Sequence, residues 1–344
     1  MMNKILVIRL SSLGDIVLAS PLVRALRTKF PFAQIDFLVK TEYADLVKFN
    51  PNVTSVLEMR SGDWSELQTI VNRIQSERYD LVVDIHNSLR SRYIRALSKA
   101  SNKVVVDKRA LARFALVKFK LNWYNGVVSV AERYLETCAR FGVGDDRQGL
   151  EVFVPDQTIE TVSIVLSKHK IERNELVVGI APSARHFTKR WLPERFTELG
   201  TRMVKEYRAR VLVFGGKNEA TYCNDVAQMI NMQVGAQAAV SVAELFSIIE
   251  VAAALDYCHV VISNDTGLMH LAQARGRNLV AIFGSTVKEL GFFPTSVNSR
   301  VVEAANVPCR PCSHIGRSDC PKGHFNCMKF ISVEEVANMV QSFL

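Results

Sequence analysis

Long apolar runs are missing from this chain of 344 residues. No stretch approaches the roughly 18 residues that a helix needs to cross a bilayer. The apolar part of the N-terminus, residues 5–8, is too short for a secretory signal and reads as a first strand. Low-complexity tracts and short internal repeats are also lacking, which argues against a fibrous or solenoid chain. Acidic residues are in deficit, 34 against 43 basic, for a net charge of +9. The basic residues look dispersed and do not interleave with aromatics as base-stacking surfaces do, which counts against a nucleic-acid-binding module. Cysteine is scarce, seven in all, and not arranged as a secreted disulfide framework. What remains is a cytoplasmic protein whose positive balance suits an anionic partner, whether nucleotide, nucleic acid, phosphorylated glycolipid or the acidic face of a membrane.

What is present is alternation. Residues 4–10, 34–39, 53–58, 80–85 and 103–106 are short, β-branched and apolar, and read as strands. Residues 20–30, 41–49, 64–77 and 88–98 show helical spacing, as in Leu67, Ile70, Val71 and Ile74. A helical stretch at 130–141 precedes 142–155, rich in Gly and Asp, read as a linker. The alternation then resumes, with strands at 176–181, 210–214, 259–262 and 278–283 and helices at 193–207, 218–230, 243–254 and 269–275. An amphipathic segment at 332–343 closes the chain. The expectation is an α/β protein of two Rossmann-like, doubly wound parallel-sheet domains facing a cleft. Their bounds are 1–155 and 156–331, with a closing helix at 332–344. Ligands of such sheets gather at the carboxyl ends of the strands.

The most informative strand end is Ser263-Asn264-Asp265-Thr266-Gly267-Leu268-Met269-His270. A buried strand that runs through a small polar turn into a helix builds an anion site, because the helix start offers unpaired N–H groups and partial positive charge. His270 adds a donor one turn in. Thr188-Lys189-Arg190-Trp191 follows another strand, where Lys189 and Arg190 suit phosphate neutralisation or, equally, a solvated basic turn. Ser183 follows the same strand, and Gly215 and Gly216 end the next, as a backbone approach to base or ribose or as a plain tight turn. In Arg9-Leu10-Ser11-Ser12-Leu13-Gly14-Asp15, the carboxylate of Asp15 is either a helix cap or a general base. Ser20-Pro21 reads as an N-cap followed by Pro at the first helical position.

Together these segments resemble glycosyltransferase family 9, the ADP-heptose:lipopolysaccharide heptosyltransferases. The likeness runs from residue 4 to about 336, and Asn264-Asp265-Thr266-Gly267…His270 is its most specific part. Leu268 stands where the family often has Pro. The resemblance implies a GT-B fold and an inverting, metal-independent transfer of heptose from ADP-L-glycero-D-manno-heptose to the lipopolysaccharide inner core. It implies donor binding by the second domain and acceptor binding by the first, with domain closure completing the site. Asp15 matches the family's proposed base, Lys189 a lysine on the donor phosphates, and Thr266, Gly267 and His270 the contacts to ADP. Asp265 is expected to orient its loop through backbone N–H groups, since a bare carboxylate repels a pyrophosphate. Arg60, Arg90, Arg92, Lys108, Arg109 and Arg113 are available for acidic groups of the acceptor, and peripheral contact with the inner membrane face goes with them.

Cys309, Cys312, Cys320 and Cys327 fall in a C-x2-C-x7-C-x6-C pattern. That spacing suits a structural Zn or Fe site, reduced core thiols, or a disulfide that a cytoplasmic setting disfavours. No cofactor is expected for catalysis itself. Two alternatives stand beside the transferase: a GT-B enzyme with another nucleotide-sugar donor, or a nucleotide-sugar epimerase. A zinc-ribbon nucleic-acid-binding protein is the alternative from outside the class.

Overall fold

The structure is a computed structural model that describes residues 2–344. Its contacts divide the chain into two compact units. The first comprises Met1–Arg109 and Val128–Phe153, the second Ala110–Val127 and Val154–Leu344. The sequence reading drew one boundary at 155, whereas the chain passes into the second unit at Ala110, returns at Val128 and leaves again after Phe153.

In the first unit β1 (Lys4–Ile8), β2 (Gln34–Lys40), β3 (Ser55–Met59), β4 (Leu81–Asp84) and β5 (Asn102–Val105) form one sheet in the order β3-β2-β1-β4-β5. All four pairings are parallel. A parallel sheet is covered on both faces, which is why β1 reads as an unbroken apolar run. Ile5, Leu6, Val7 and Ile8 are all fully buried. The helix Trp64–Glu77 starts where Asp63 accepts the Glu66 N–H at 2.9 Å, and it packs Leu67, Ile70, Val71 and Ile74 against Leu6, Ile8, Leu38 and Leu57.

The second unit holds β6 (Val177–Ala181), β7 (Arg210–Val213), β8 (Ala239–Ser241), β9 (Val260–Asn264), β10 (Asn278–Phe283) and β11 (Ser299–Glu303), in the order β11-β10-β9-β6-β7-β8. Every pairing is again parallel. In each sheet the strand order reverses beside the first strand, between β1 and β4 and between β6 and β9. Crevices for ligands open at such switch points, beyond the carboxyl ends of the strands.

Several elements were not foreseen. After β1 a short helix, Leu13–Val17, begins with Ser12 as N-cap. Ser20 does not cap the next helix; it is the first helical residue, Ala19 is the cap, and the Ser20 hydroxyl donates back to Val17 O at 2.7 Å. The short, partly exposed strands β8 and β11 and the helices Ala110–Phe119 and Asp156–Lys168 also escaped the sequence reading. Among the described residues no helix is long and apolar enough to cross a membrane.

The helices Pro193–Tyr207 and Ala220–Val234 pack through Gly200, where an added Cβ would sit 2.5 Å from Ile230 Cδ1 and 3.3 Å from Ile180 Cδ1. Both isoleucines are fully buried and have no room to yield. Gly200→Val should therefore cost about 1–3 kcal/mol, read as a lower denaturant midpoint. An unchanged midpoint would show that the two helices have slack.

Candidate active site

Two residues past the end of β1, the chain enters the turn that places Asp15 in the first helical turn. The Asp15 carboxylate accepts from the Ser12 N–H at 3.3 Å and the Ser12 hydroxyl at 3.0 Å, so the capping role weighed from sequence is the one the backbone uses. It has two further partners. Arg9, at the end of β1, lies 2.6 Å from Oδ2, and the Tyr134 hydroxyl donates to Oδ1 at 3.3 Å. Burial works against the Asp15 charge, but the Arg9 guanidinium and the Ser12 bonds outweigh it and hold the carboxyl below its ordinary value. Asp15 is thus an ionised acceptor, and its neighbour Tyr134 is kept protonated by burial.

Across the switch point, the end of β4 supplies His86. Burial, and then the positive charges of Arg9 and Lys108, push its imidazole down to about 4, so it is neutral at physiological pH. Arg9 also donates to Ile85 O at 2.7 Å, which ties the ends of β1 and β4 together. Asp84, fully buried, accepts from the His86 and Asn87 N–H groups and from Arg95 at 2.8 Å. Asn87 in turn receives Arg92 on its side chain and Lys108 on its carbonyl.

In the second unit the turn after β9 is fastened by Asn264. Its fully buried amide accepts the Trp191 N–H at 3.0 Å and donates to Pro182 O at 2.8 Å. The loops after β6 are therefore pinned to the end of β9, and Lys189 and Arg190 are held over it. Lys189 Nζ lies 2.7 Å from Asp265 Oδ2, and the Thr286 hydroxyl donates to the same oxygen at 2.7 Å. Arg190 Nε donates to Ala184 O at 2.5 Å. Thr266 is the N-cap of the helix Gly267–Ala274, on which His270 is buried and faces Phe292 with ring centroids 6.4 Å apart. On the other side of β6, the Ser183 hydroxyl donates to Glu219 at 2.6 Å, and Glu219 also accepts the Gly216 N–H at 2.9 Å. Gly215 has no room for a Cβ against Cys223.

A helix start with a fixed cation beside it thus stands at the switch point of a doubly wound sheet, where the sequence reading expected an anion site. The family model for glycosyltransferase family 9 (heptosyltransferase) matches residues 68–321. The chain belongs to glycosyltransferase family 9. A lipooligosaccharide heptosyltransferase 2 of Haemophilus influenzae is 25% identical over 82% of this chain and 83% of its own length. A family 9 glycosyl transferase of Veillonella parvula superposes with a TM-score of 0.83 at 18% identity, covering 99% of this chain and 97% of that one. The Escherichia coli ADP-heptose lipopolysaccharide heptosyltransferase II does so with a TM-score of 0.76 at 21% identity, covering 99% and 98%. The fold of this glycosyltransferase is accordingly GT-B, as the resemblance implied, and the chain is a transferase.

Within the transferase, the residues singled out from sequence fall into three groups. Lys189, Arg190, Asp265, Thr266, Gly267 and His270 belong to the loops and helix around the end of β9. Ser183, Gly215 and Gly216 line the ends of β6 and β7, and Asp15 belongs to the other unit. Asp265 departs from its expected role. Its carboxylate is taken up by Lys189 and Thr286 rather than by backbone N–H groups, because an ion pair satisfies a buried charge better than neutral donors do. Arg9, Tyr134, His86, Asn264, Glu219 and Thr286 had no assigned role. Three of them, Arg9, His86 and Asn264, sit within two residues of a strand end beside a switch point, the one signal that could have found them. A cavity lined by Arg173, Asp256, Tyr257, His259 and Arg277 lies at the opposite, amino ends of β9 and β10 and takes no part in this arrangement.

Of the three readings of the cysteine cluster, the thiols here correspond to the reduced one. All seven thiols are free, and among the described residues no three His, Cys, Asp or Glu side chains come together as a metal group. Cys309 Sγ stands 3.8 Å from His324 Nε2, and burial pushes Cys327 up to about 12 and raises Cys312 as well. The four sulfurs share a neighbourhood but are not drawn to a common centre.

The Arg9–Asp15 pair has a pH consequence. A carboxyl whose folded-state pKa is depressed adds stability above its unfolded value, about 4, and loses it as pH falls through the folded value. The stability difference between the parent and Asp15→Asn should be about 3–5 kcal/mol, constant from neutral pH down to about 4, and smaller below. A gap that already narrows near neutral pH in urea titrations would contradict the pairing.

Proposed function

We propose that this family 9 enzyme transfers heptose from ADP-L-glycero-D-manno-heptose to the inner core of lipopolysaccharide. The observation that carries the donor half is the fixed Lys189–Asp265 pair at the mouth of the helix Gly267–Ala274. As the sugar C1–O bond breaks, negative charge grows on the departing ADP. Lys189, Arg190, His270 and the N-terminus of that helix supply donors for it, so the transfer is metal-independent. Ser183, Gly215 and Gly216 would face the nucleoside. Asp15, ionised and braced by Arg9, is the group to accept the proton of the incoming hydroxyl, and attack on the face opposite ADP gives inversion. The second unit takes the donor and the first the acceptor, with Arg92 and Lys108 on Asn87 placed for acidic groups. Support for heptose and for the lipopolysaccharide core comes from what the matched relatives are named for.

The test is donor and acceptor together: truncated lipopolysaccharides incubated with enzyme and ADP-heptose, or with UDP- or GDP-sugars, and followed by mass spectrometry. A heptose mass increment from ADP-heptose alone is expected. Transfer only from another donor would favour the second reading, a GT-B enzyme of different specificity. Asp15→Ala should lower turnover at least a hundredfold while ADP still binds by calorimetry, whereas Lys189→Ala should weaken ADP binding about tenfold or more. Retained turnover in the first or unchanged affinity in the second removes that residue from the scheme.

The thiols of Cys309, Cys312, Cys320 and Cys327 form a donor set for a structural Zn or Fe ion, which would have to draw them inward from their present positions. Elemental analysis of the purified protein should find about one equivalent, lost in Cys312→Ser/Cys320→Ser. Stoichiometrically metal-free protein rejects the site.

A further inference from the structure

The segment between Asp107 and Glu132 is basic and exposes apolar side chains as well. It contains Lys108, Arg109, Arg113, Lys118 and Lys120 and no acidic residue. It also holds Leu111, Phe114, Phe119, Leu121, Trp123 and Val127, each more than half exposed, with Leu111 reaching 79%. On the helix Ala110–Phe119 the exposed Leu111, Phe114 and Lys118 fall at i, i+3 and i+7, one outward stripe, while Ala115 and Leu116 are buried. Phe114 and Phe119 meet edge to face, with centroids 5.7 Å apart. The end of the helix is anchored: Lys120 donates to Val117 O at 3.1 Å and to Pro311 O at 2.5 Å. An apolar stripe of this kind is thus displayed on a held element.

We infer that residues 110–127 are a docking surface for an anionic lipid bilayer. Exposed large apolar side chains gathered in one segment mark an interaction site, whereas singly scattered ones do not. Phe, Leu and Trp beside Lys and Arg is the composition of helices that lie in the headgroup region, with Trp at the polar boundary. Charge complementarity selects the occupant. Residues 110–127 carry three cations, Arg113, Lys118 and Lys120, and no acid, so they are attracted to anionic headgroups, while a second copy of the same face would set like charges against each other. The inference rests on the proposed function in one respect, that a lipid-borne acceptor gives a membrane-facing surface its use.

The experiment is co-sedimentation of the full chain with phosphatidylcholine vesicles and with phosphatidylcholine–phosphatidylglycerol vesicles, without donor or acceptor. Binding to the anionic vesicles, weakened by salt, is expected. Each cation in contact is worth about 1 kcal/mol, or about fivefold, so Lys118→Glu should weaken partition about twenty- to thirtyfold. Phe114→Ser/Trp123→Ser should weaken it at least tenfold with an unchanged circular dichroism spectrum and melting temperature. Both variants should keep full transfer to a delipidated, water-soluble acceptor, so loss of the proposed activity and loss of docking are read separately. No binding to anionic vesicles, or equal binding by parent and variants, overturns the inference. So does concentration-dependent self-association that Phe114→Ser abolishes, which would make a second copy the occupant.

Discussion

A single buried amide organises the second unit. Asn264 ends β9, and its side chain holds the backbone of Trp191 on one side and of Pro182 on the other. Both partners lie in loops that leave β6 or precede the helix Pro193–Tyr207, where backbone groups would otherwise be buried without partners at about 1–3 kcal/mol each. An aspartate would lose the donor and a leucine both bonds. Because Trp191 is fixed, Lys189 two residues earlier is brought within 2.7 Å of Asp265, the residue after Asn264. Local sequence adjacency, Asn264 to Asp265 and Lys189 to Trp191, becomes spatial adjacency through one side chain. Trp191 is fully buried and donates from its indole to Ile331 O at 3.1 Å, so the clamp extends to the segment before the last helix.

The sheets were legible in the sequence because their central strands are buried on both faces and cannot be anything but apolar. The runs at β1, β2, β4, β6, β9 and β10 carry that requirement in most of their residues. β8 and β11 do not: they are the edge strands of the second sheet and keep polar residues such as Ser241 and Arg300. The excursion of 110–127 into the second unit was illegible for another reason. Strand and helix patterns record which face is buried, not which core buries it. The helix Leu13–Val17 spans little more than one turn, too little for periodicity to register.

The site was legible as residue types and less so as partnerships. The turn at 264–270 raised the expectation of an anion site through its small residues and position after a strand, properties that depend on local backbone. The bonds of Asp265 to Lys189 and Thr286, of Asp15 to Tyr134 and of Glu219 to Ser183 all cross 21 or more residues of sequence. Nothing in one stretch names the other. The apolar and basic residues of 108–127 illustrate the converse: averaged over 344 residues they dissolve into an ordinary composition, and only their exposure sets them apart.

The pairings also constrain how the site can act. A lone cation over a helix start would bind anions of any kind, and a lone carboxylate at the end of β1 would draw stray cations. Here each charge is already answered, Lys189 by Asp265 and Asp15 by Arg9. In the proposed scheme a pyrophosphate arriving at Lys189 would share it with a carboxylate, so the net charge it meets would come from Arg190 and the helix start, with Lys189 acting as an aimed donor. That arrangement favours a group with several oxygens over a simple monoanion. At Asp15 the same logic trades basicity for readiness: Arg9 lowers the affinity for a proton but keeps the carboxylate ionised and pointed. In the proposed scheme such a base suits a hydroxyl that becomes acidic only as its bond to the sugar forms, the timing that a displacement with departing ADP would provide.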